Sequence, residues 1–461
     1  MTATQRWTLT VVCAATAMLM LDIAVVNTAL TAIAADLDTG LSGLQWVVDA
    51  YTLALAATVI TAGSLADRFG RRRLFVIGLA VFTAMSLLCG LAQSITMLNV
   101  ARAAQGVGAG LVSPAALALV TSARPEGRAR ARALGWWTAA AAGGGASGWV
   151  LGGILSGLFD WRWVFLVNVP LCAGAALLAP RVLDEWRDPH ATRLDAAGAV
   201  LATTGLAALV LAFTLSERHG PLATPPLLAF AVALLLLTAF ARVETRVEAP
   251  LLDRAVLTRP GVLGSNGVAA VLTATTGPPI FLCTLHAQQI LGMAPTTAGL
   301  LFAPVNLAVI AGSFAGPRVV GAVGERAAMA GGLAAVAAGA LALRAIAPGA
   351  PALPSMLGGF VILGLGLGVA SVASTGRGTA AFEAGDQGLA SALLATSAQL
   401  GTAFGLAIVL PIAAARTDAL GGGPQAHVAG YELGFVLAAA AAIAAAAGVI
   451  AVRSRVTARA R

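Results

Sequence analysis

The sequence contains no lysine: its 28 basic residues are all arginine. Charge of either sign is scarce, 10% of residues against the roughly 25% usual in soluble domains, while 59% are hydrophobic. That balance excludes a water-soluble globular protein. Cysteine is limited to Cys13, Cys89, Cys172 and Cys283. Each stands apart from the other cysteines in an apolar stretch, with no CxxC, which argues against a metal centre and leaves small buried hydrophobes. No GxxxxGK(S/T) loop is present, so ATP does not drive the protein directly, and no GxSxG, HExxH or DDxxD string points to a membrane enzyme. The long apolar segment that follows the N-terminal MTATQRW reads as a retained first span and not as a signal peptide. The net charge of +8 does not indicate nucleic acid, because the arginines punctuate hydrophobic runs instead of gathering on one face among aromatics.

What is present in abundance is apolar sequence in lengths that match a bilayer, where a span takes ~20 residues. Apolar runs between polar breaks predict fourteen helices, near 7–31, 44–65, 74–93, 97–120, 133–157, 163–180, 195–215, 226–242, 261–290, 297–320, 327–347, 353–374, 388–415 and 429–452. The fold class expected is an all-α integral membrane protein, with too little chain left for a large soluble domain. Arginine placement sets its orientation. Most of the 28 fall in the N-terminal tail, alternate connections and the C-terminal tail. Arg162, Arg218, Arg344 and Arg416 lie on the opposite side, and Arg102 falls within a span. The positive-inside rule then puts both termini in the cytoplasm.

Two polar stretches, Arg181 to Asp195 and Ala241 to Pro260, divide the chain into six, two and six spans. The domains expected are a first six-helix bundle at 1–181, linkers with two inserted helices at 182–254, and a second six-helix bundle with a short basic tail at 255–461. Two such bundles facing each other across a midplane cavity would suit a carrier working by alternating access.

Intramembrane charge is the sharpest chemical signal. Asp22 lies about three residues past the centre of the first span, a few Å to the outer side of the midplane at ~1.5 Å per residue. An ionised, unpaired Asp at a helix centre costs about 2.5 to 3.5 kcal/mol, so it needs a wet cavity, a partner or a proton. Asp49 and Arg102 lie in the outer thirds of their spans and can share that depth. Desolvation favours a protonated carboxyl and a nearby guanidinium an ionised one, so an acid whose distance from Arg102 changes with conformation becomes a proton switch. Asp22, Asp49 and Arg102 are therefore the candidates for proton coupling, Asp22 first, although Asp49 also reads as an interfacial residue.

The string GSLADRFGRRR, Gly63 to Arg73, occupies the cytoplasmic turn between the second and third spans. Its glycines permit a tight turn, Asp67 can oppose a helix N-terminus, and Arg68, Arg71, Arg72 and Arg73 can pair with acids or headgroups. The whole string closely resembles the loop signature GxLaDRxGRRx of the major facilitator superfamily, where it latches the two bundles. That resemblance assigns the latch to Gly63, Asp67, Arg68, Gly70 and Arg71. LDIAVVNTAL (Leu21 to Leu30) is similar to the first-span signature of the fourteen-helix drug:proton antiporters of the EmrB/QacA type. RAAQGVGAG (Arg102 to Gly110) resembles the span-4 motif that this family associates with proton transfer, with Gln105 one turn from Arg102. DWRWVFLVNVP (Asp160 to Pro170), RLDAAGAVLATTGL (Arg193 to Leu206), APTTAGLLFAP (Ala294 to Pro304) and GDQGLASALLATSAQLGTAFG (Gly385 to Gly405) follow in the family's order.

The span-5 motif departs from the family. Where Gly-Pro is usual before the closing Gly-Gly, this chain has Trp149 after Gly148, then Gly152 and Gly153. The missing Pro removes any Pro-dependent kink. Gly144, Gly148 and Gly152 remain at i, i+4 and i+8, a stripe that lets another helix approach, either as plain packing or also as a seal against proton leak. Asn27, Gln45, Trp46, Tyr51, Gln105, Asn168, His286, Gln288, Asn306 and Gln399 could line a cavity, since polar groups in a bilayer turn to the bundle interior. An interhelical hydrogen bond is the competing reading for each.

The resemblance implies a proton-driven exporter of hydrophobic or amphipathic drugs or antibiotics in a bacterial cytoplasmic membrane. It would be monomeric, with lipid, protons and a lipophilic small molecule as partners and no cofactor or metal. Spans 9 to 14 carry no mid-span acid, because Glu383, Asp386, Asp418 and Glu432 fall in or beside connections, so neutral, zwitterionic or monocationic compounds fit better than dications. A proton-coupled uptake symporter is the alternative within transport. A hydrophilic solute would need more polar side chains than these Ala-, Gly- and Leu-rich spans hold.

Overall fold

A backbone surrounded by lipid finds no water, so every N–H and C=O has to be satisfied within its own segment, and helices result. The computed structural model describes residues 3–39, 41–122, 128–187, 195–220, 222–247, 261–382 and 386–459. The first half comprises α1 (Ala3–Asp36), α2 (Leu41–Phe69), α3 (Arg71–Gly90), α4 (Ile95–Ser122), α5 (Arg128–Leu158), the one-turn α6 (Trp163–Leu166) and α7 (Asn168–Val182). A pair follows, α8 (Ala196–His219) and α9 (Thr224–Glu244). The second half comprises α10 (Val262–Leu285), which runs into a π-helical turn at His286–Ile290, then α11 (Pro295–Leu300), α12 (Ala303–Val323), α13 (Glu325–Ala342), α14 (Ala352–Ala380), α15 (Gln387–Ala419) and α16 (Pro424–Arg459).

Among the described residues there is no strand. Thirteen helical stretches are long and apolar enough to cross a membrane, counting α6–α7, α10 with its π-turn and α11–α12 as one each. A further long helix, α5, packs along α1. The helices overrun the expected spans: α1 begins at Ala3 and α16 continues to Arg459. Hydropathy marks only the section in hydrocarbon, whereas helical hydrogen bonding continues into the interface. The sixth span runs as one stretch from Trp163 to Val182, with helical angles, φ −60° and ψ −28°, at Val167 between α6 and α7. The expected boundary at 254/255, and with it Arg193, Arg254, Arg259, Glu383 and Gly385, lies outside the described residues.

Each half buries its own core. Leu79, Phe82, Leu98 and Phe165 lie at the centre of the first, and Leu333, Phe360, Leu363 and Phe435 at that of the second. The halves meet along two flanks, α2 against α15 and α5 against α12, and α8 lies over the first of these, touching both α2 and α15. Within the first half the glycine stripe of α5 faces α1. A Cβ at Gly148 would sit 2.7 Å from the Leu21 carbonyl and 2.6 Å from the Ala24 methyl, and one at Gly144 would strike the Ala17 carbonyl. Gly152 meets Val25 and Thr28 in the same way, whereas Gly153, half-buried, stands off the stripe.

Candidate functional site

Five helices of the first half converge on Asp22. The Asp22 side chain is 0% exposed and its Oδ2 accepts a hydrogen bond from Arg102 Nη1 at 2.7 Å. Its Oδ1 accepts from Asn168 Nδ2 at 2.6 Å and from Gln105 Nε2 at 3.0 Å. Gln105 closes the cluster, because its Oε1 accepts from Arg102 Nη1 at 2.7 Å while its Nε2 also donates to Ser86 Oγ at 2.8 Å. Arg102 is equally enclosed. Its Nε donates to the Val47 carbonyl at 2.9 Å, and its guanidinium lies over the Tyr51 ring, 4.2 Å from the centroid, with the Phe165 ring at 5.7 Å.

These partners follow from helical phase. Arg102 and Gln105 are three residues apart on α4 and so share a face. Val47 and Tyr51 are four apart on α2 and do the same, which leaves Asp49 on the other side of that helix. Asp49 is half-buried. Asn168, in the first turn of α7, reaches Asp22 across the contact between α7 and α1. The carboxylate thus receives three donors and offers its charge to one guanidinium, an arrangement that satisfies a buried ion pair. Two groups in the cluster are left over: Asn168 Oδ1 and the Tyr51 hydroxyl are buried with no hydrogen-bond partner.

The second site lies at the opposite end of α2. Asp67 Oδ1 accepts from Arg71 Nε at 2.9 Å, and Arg71 Nη2 stands 2.8 Å from the same oxygen. The same carboxylate crosses to the second half, where Gly388 N donates to Oδ1 and Leu389 N to Oδ2, each at 3.0 Å. The first backbone N–H groups of any helix lack intrahelical acceptors and carry partial positive charge. The residue before α15, Asp386, makes no side-chain cap bond to it, so Asp67 of α2 caps a helix of the other half. Close approach makes this possible: a Cβ at Gly63 would lie 2.6 Å from the Gly388 carbonyl. Gly70, at φ 109°, turns the chain from α2 into α3. Arg71 is fully buried, its guanidinium 4.0 Å from the Trp186 ring centroid, while Arg72 and Arg73 lie 3.5 and 3.6 Å from Glu185. Arg68 is half-buried beside them. A second bond between the halves runs from Arg130 Nη2 on α5 to Gln387 Oε1 at 2.7 Å.

The remaining candidates stand apart. Asn27 donates to its own helix at the Ile23 carbonyl and Asn306 to that of Phe302. Gln45 and Trp46 are exposed near the start of α2, and Gln288 and Gln399 are half-buried. His286 is fully buried in the π-helical turn, with neither ring nitrogen hydrogen-bonded. Sequence reasoning did not single out Ser86, Phe165, Arg130, Glu185, Trp186 or Gln387. Only Gln387 carried a signal, in a polar GDQG ahead of an apolar run, the pattern of a helix start.

Comparison with known proteins gives relatives along the chain. A cephamycin export protein, CmcT, of Amycolatopsis lactamdurans is 38% identical over 440 residues, 94% of this chain and 90% of that one. The multidrug resistance protein Stp of Mycobacterium tuberculosis is 36% identical over 68% of this chain and 59% of its own length. The puromycin resistance protein pur8 of Streptomyces alboniger is 39% identical over 67% of this chain and 61% of its own. Among solved structures, the human organic anion transporter MFSD10 superposes with a TM-score of 0.65 over 95% of this chain and 99% of that one, at 16% identity, which shows the fold alone. The Major Facilitator Superfamily profile matches residues 12–406. This two-halved helical chain therefore belongs to the major facilitator superfamily.

Proposed function

We propose that this chain exports lipophilic, drug-like or antibiotic compounds from a bacterial cell in exchange for protons, by alternating access between its two halves. It is a secondary transporter and not an enzyme. The buried Asp22–Arg102 pair carries the reading, and relatives named for antibiotic export and resistance support outward transport over the symporter alternative. In this reading α5 is a fourteenth span, α8 and α9 are a pair inserted between bundles 1–181 and 255–461, and both termini lie on the cytoplasmic side of the inner membrane. The protein works as a monomer and without cofactor or metal.

The Asp67 cap closes the cytoplasmic end, leaving the form described here ready to load protons from outside. Neutralising one partner of a buried pair while the other stays costs ~3–5 kcal/mol, so a proton arriving on Asp22 drives Arg102 to move. The new Asp22 O–H needs an acceptor. Asn168 supplies it by turning its amide over, which brings the partnerless Oδ1 to where Nδ2 now donates. Arg102 bears on α2 through the Val47 carbonyl and the Tyr51 ring. Asp67 lies twenty residues further along the same helix, ~30 Å at 1.5 Å per residue. A rigid α2 carries the displacement to the latch. Gln45 and Trp46 at the outer end of α2, with Asn27, His286, Asn306 and Gln399, line the substrate path.

One proton supplies ~1.4 kcal/mol per tenfold concentration ratio plus ~2.3 kcal/mol per 100 mV of potential, enough for roughly 100-fold substrate accumulation. The test is transport in inverted membrane vesicles. An imposed proton gradient should drive uptake of an ethidium-like dye or antibiotic, a protonophore should abolish it, and Asp22→Asn should remove uphill transport while leaving substrate binding. Uphill transport persisting in Asp22→Asn would remove the residue from its role, and gradient-driven movement in the opposite direction would favour the symporter.

A further inference from the structure

The two flanks where the halves meet are unlike. Over α2 and α15 lies α8, with the Thr61 and Thr203 hydroxyls 2.8 Å apart and the Phe213 ring edge-on to Phe404 at 5.9 Å. On the α5–α12 flank an open cavity of about 740 Å³ lies between α1, α5 and α12. Arg6, Ala14 and Ala17 of α1, Trp136 of α5, and Ile310 and Phe314 of α12 line it. Its wall bridges the halves, since Trp136 and Phe314 stack edge-to-face at 4.6 Å. Arg6 is the one charged residue of its lining, which is otherwise mostly apolar.

We propose that this groove binds one anionic phospholipid of the cytoplasmic leaflet, its phosphate on Arg6 and one acyl chain along α1 towards Ala17. Charge and length both fit that occupant. Arg6 is exposed in the first turns of α1, and among the described residues its guanidinium has no ion pair and no hydrogen bond. From Arg6 to Ala17 is eleven residues of helix, ~16 Å, which is one leaflet of a ~30 Å hydrocarbon core. The basic group therefore stands at headgroup level and the apolar floor at acyl depth. Because the groove is built from both halves, the lipid wedges the flank that lacks a covering helix and has to be released or repositioned when Trp136 and Phe314 separate.

The test reconstitutes the full-length protein in phosphatidylcholine bilayers and titrates in dibrominated phosphatidylglycerol or dibrominated phosphatidylcholine. Quenching of Trp136 is read as the difference between the wild type and Trp136→Phe. The anionic lipid should half-quench at about fivefold lower mole fraction than the zwitterionic one, the ~1 kcal/mol that one Arg contributes near an anionic headgroup. Arg6→Gln should bring the two lipids to parity, and Ala14→Phe, which fills the groove, should weaken quenching by both. Parity in the wild type, a preference that survives Arg6→Gln, or unchanged quenching in Ala14→Phe would each overturn the proposal. So would relief of quenching by a transported dye at stoichiometric concentration, which would make the groove a substrate site.

Discussion

Asp67→Asn tests a part of the latch that crosses between the halves. Asp67 and Arg71 belong to the same half, so their pairing does not need the other half, whereas the bonds from Gly388 and Leu389 cross between the halves and would be lost on their separation. Each is a hydrogen bond to a charged acceptor, worth ~1.5–3 kcal/mol, and the helix N-terminus adds a few tenths to 1 kcal/mol. Asparagine keeps one acceptor oxygen but turns an N–H₂ towards the other backbone N–H. A net loss of ~2 kcal/mol from the closed form is expected, shifting the closed-to-open ratio by about 30-fold. Hydrogen exchange followed by mass spectrometry reads this directly: amides in the first turn of α15 should exchange about 30-fold faster, with the rest of α15 little changed. Asp195→Asn is the control, since Asp195 caps its own helix through Gly198 N at 2.8 Å and its loss should stay within α8. Unchanged exchange at Gly388 and Leu389, or acceleration spread evenly over α15, would refute the capping argument.

Other perturbations separate the remaining parts. Asn168→Leu removes both the donor to ionised Asp22 and the acceptor for its protonated form. Export should fall at least tenfold, and Asn168→Gln should recover part of it; full activity in the leucine variant would exclude the amide from proton handling. Gly148→Leu forces a side chain into the Leu21 backbone and Ala24, and overpacking of this kind costs ~1–3 kcal/mol or more. A lowered unfolding temperature in detergent is expected, and a folded, fully stable variant would show that α1 and α5 can separate freely. At the end of α1, hydrogen bonds from Trp161 and Arg162 hold the Asp36 carboxyl below the usual carboxylate range. The tether is therefore complete above the ordinary value of ~3.9 and is lost only as pH falls through the depressed one. Trp161 emission should stay constant from pH 8 to about 5, and a transition at or above pH 5 would contradict the assignment.

The residues differ in how far their roles were legible in the sequence. Asp22, Arg102 and Gln105 were visible because a polar side chain in a long apolar run is rare and its depth follows from counting residues. Asp49 satisfied the same depth count, but depth fixes position along a helix and not direction around it. Asn168 appeared only as one polar residue among several; the packing of α7 against α1 brings it onto Asp22. Asp67 was marked by its motif, but nothing near it named Gly388 and Leu389 as the amides it caps.

By itself the sequence determined the medium, the helical class and the arginine asymmetry between the two sides, because hydropathy and charge act locally and sum along the chain. Tertiary structure alone decided which polar groups meet. Asp22 gathers partners from α4 and α7, Asp67 finds its acceptors' counterpart in the other half, and a groove opens on the flank that α8 does not cover. The physical reason is that packing fixes the rotation of each helix and the distance between axes, and neither quantity is written in the order of residues along any single helix.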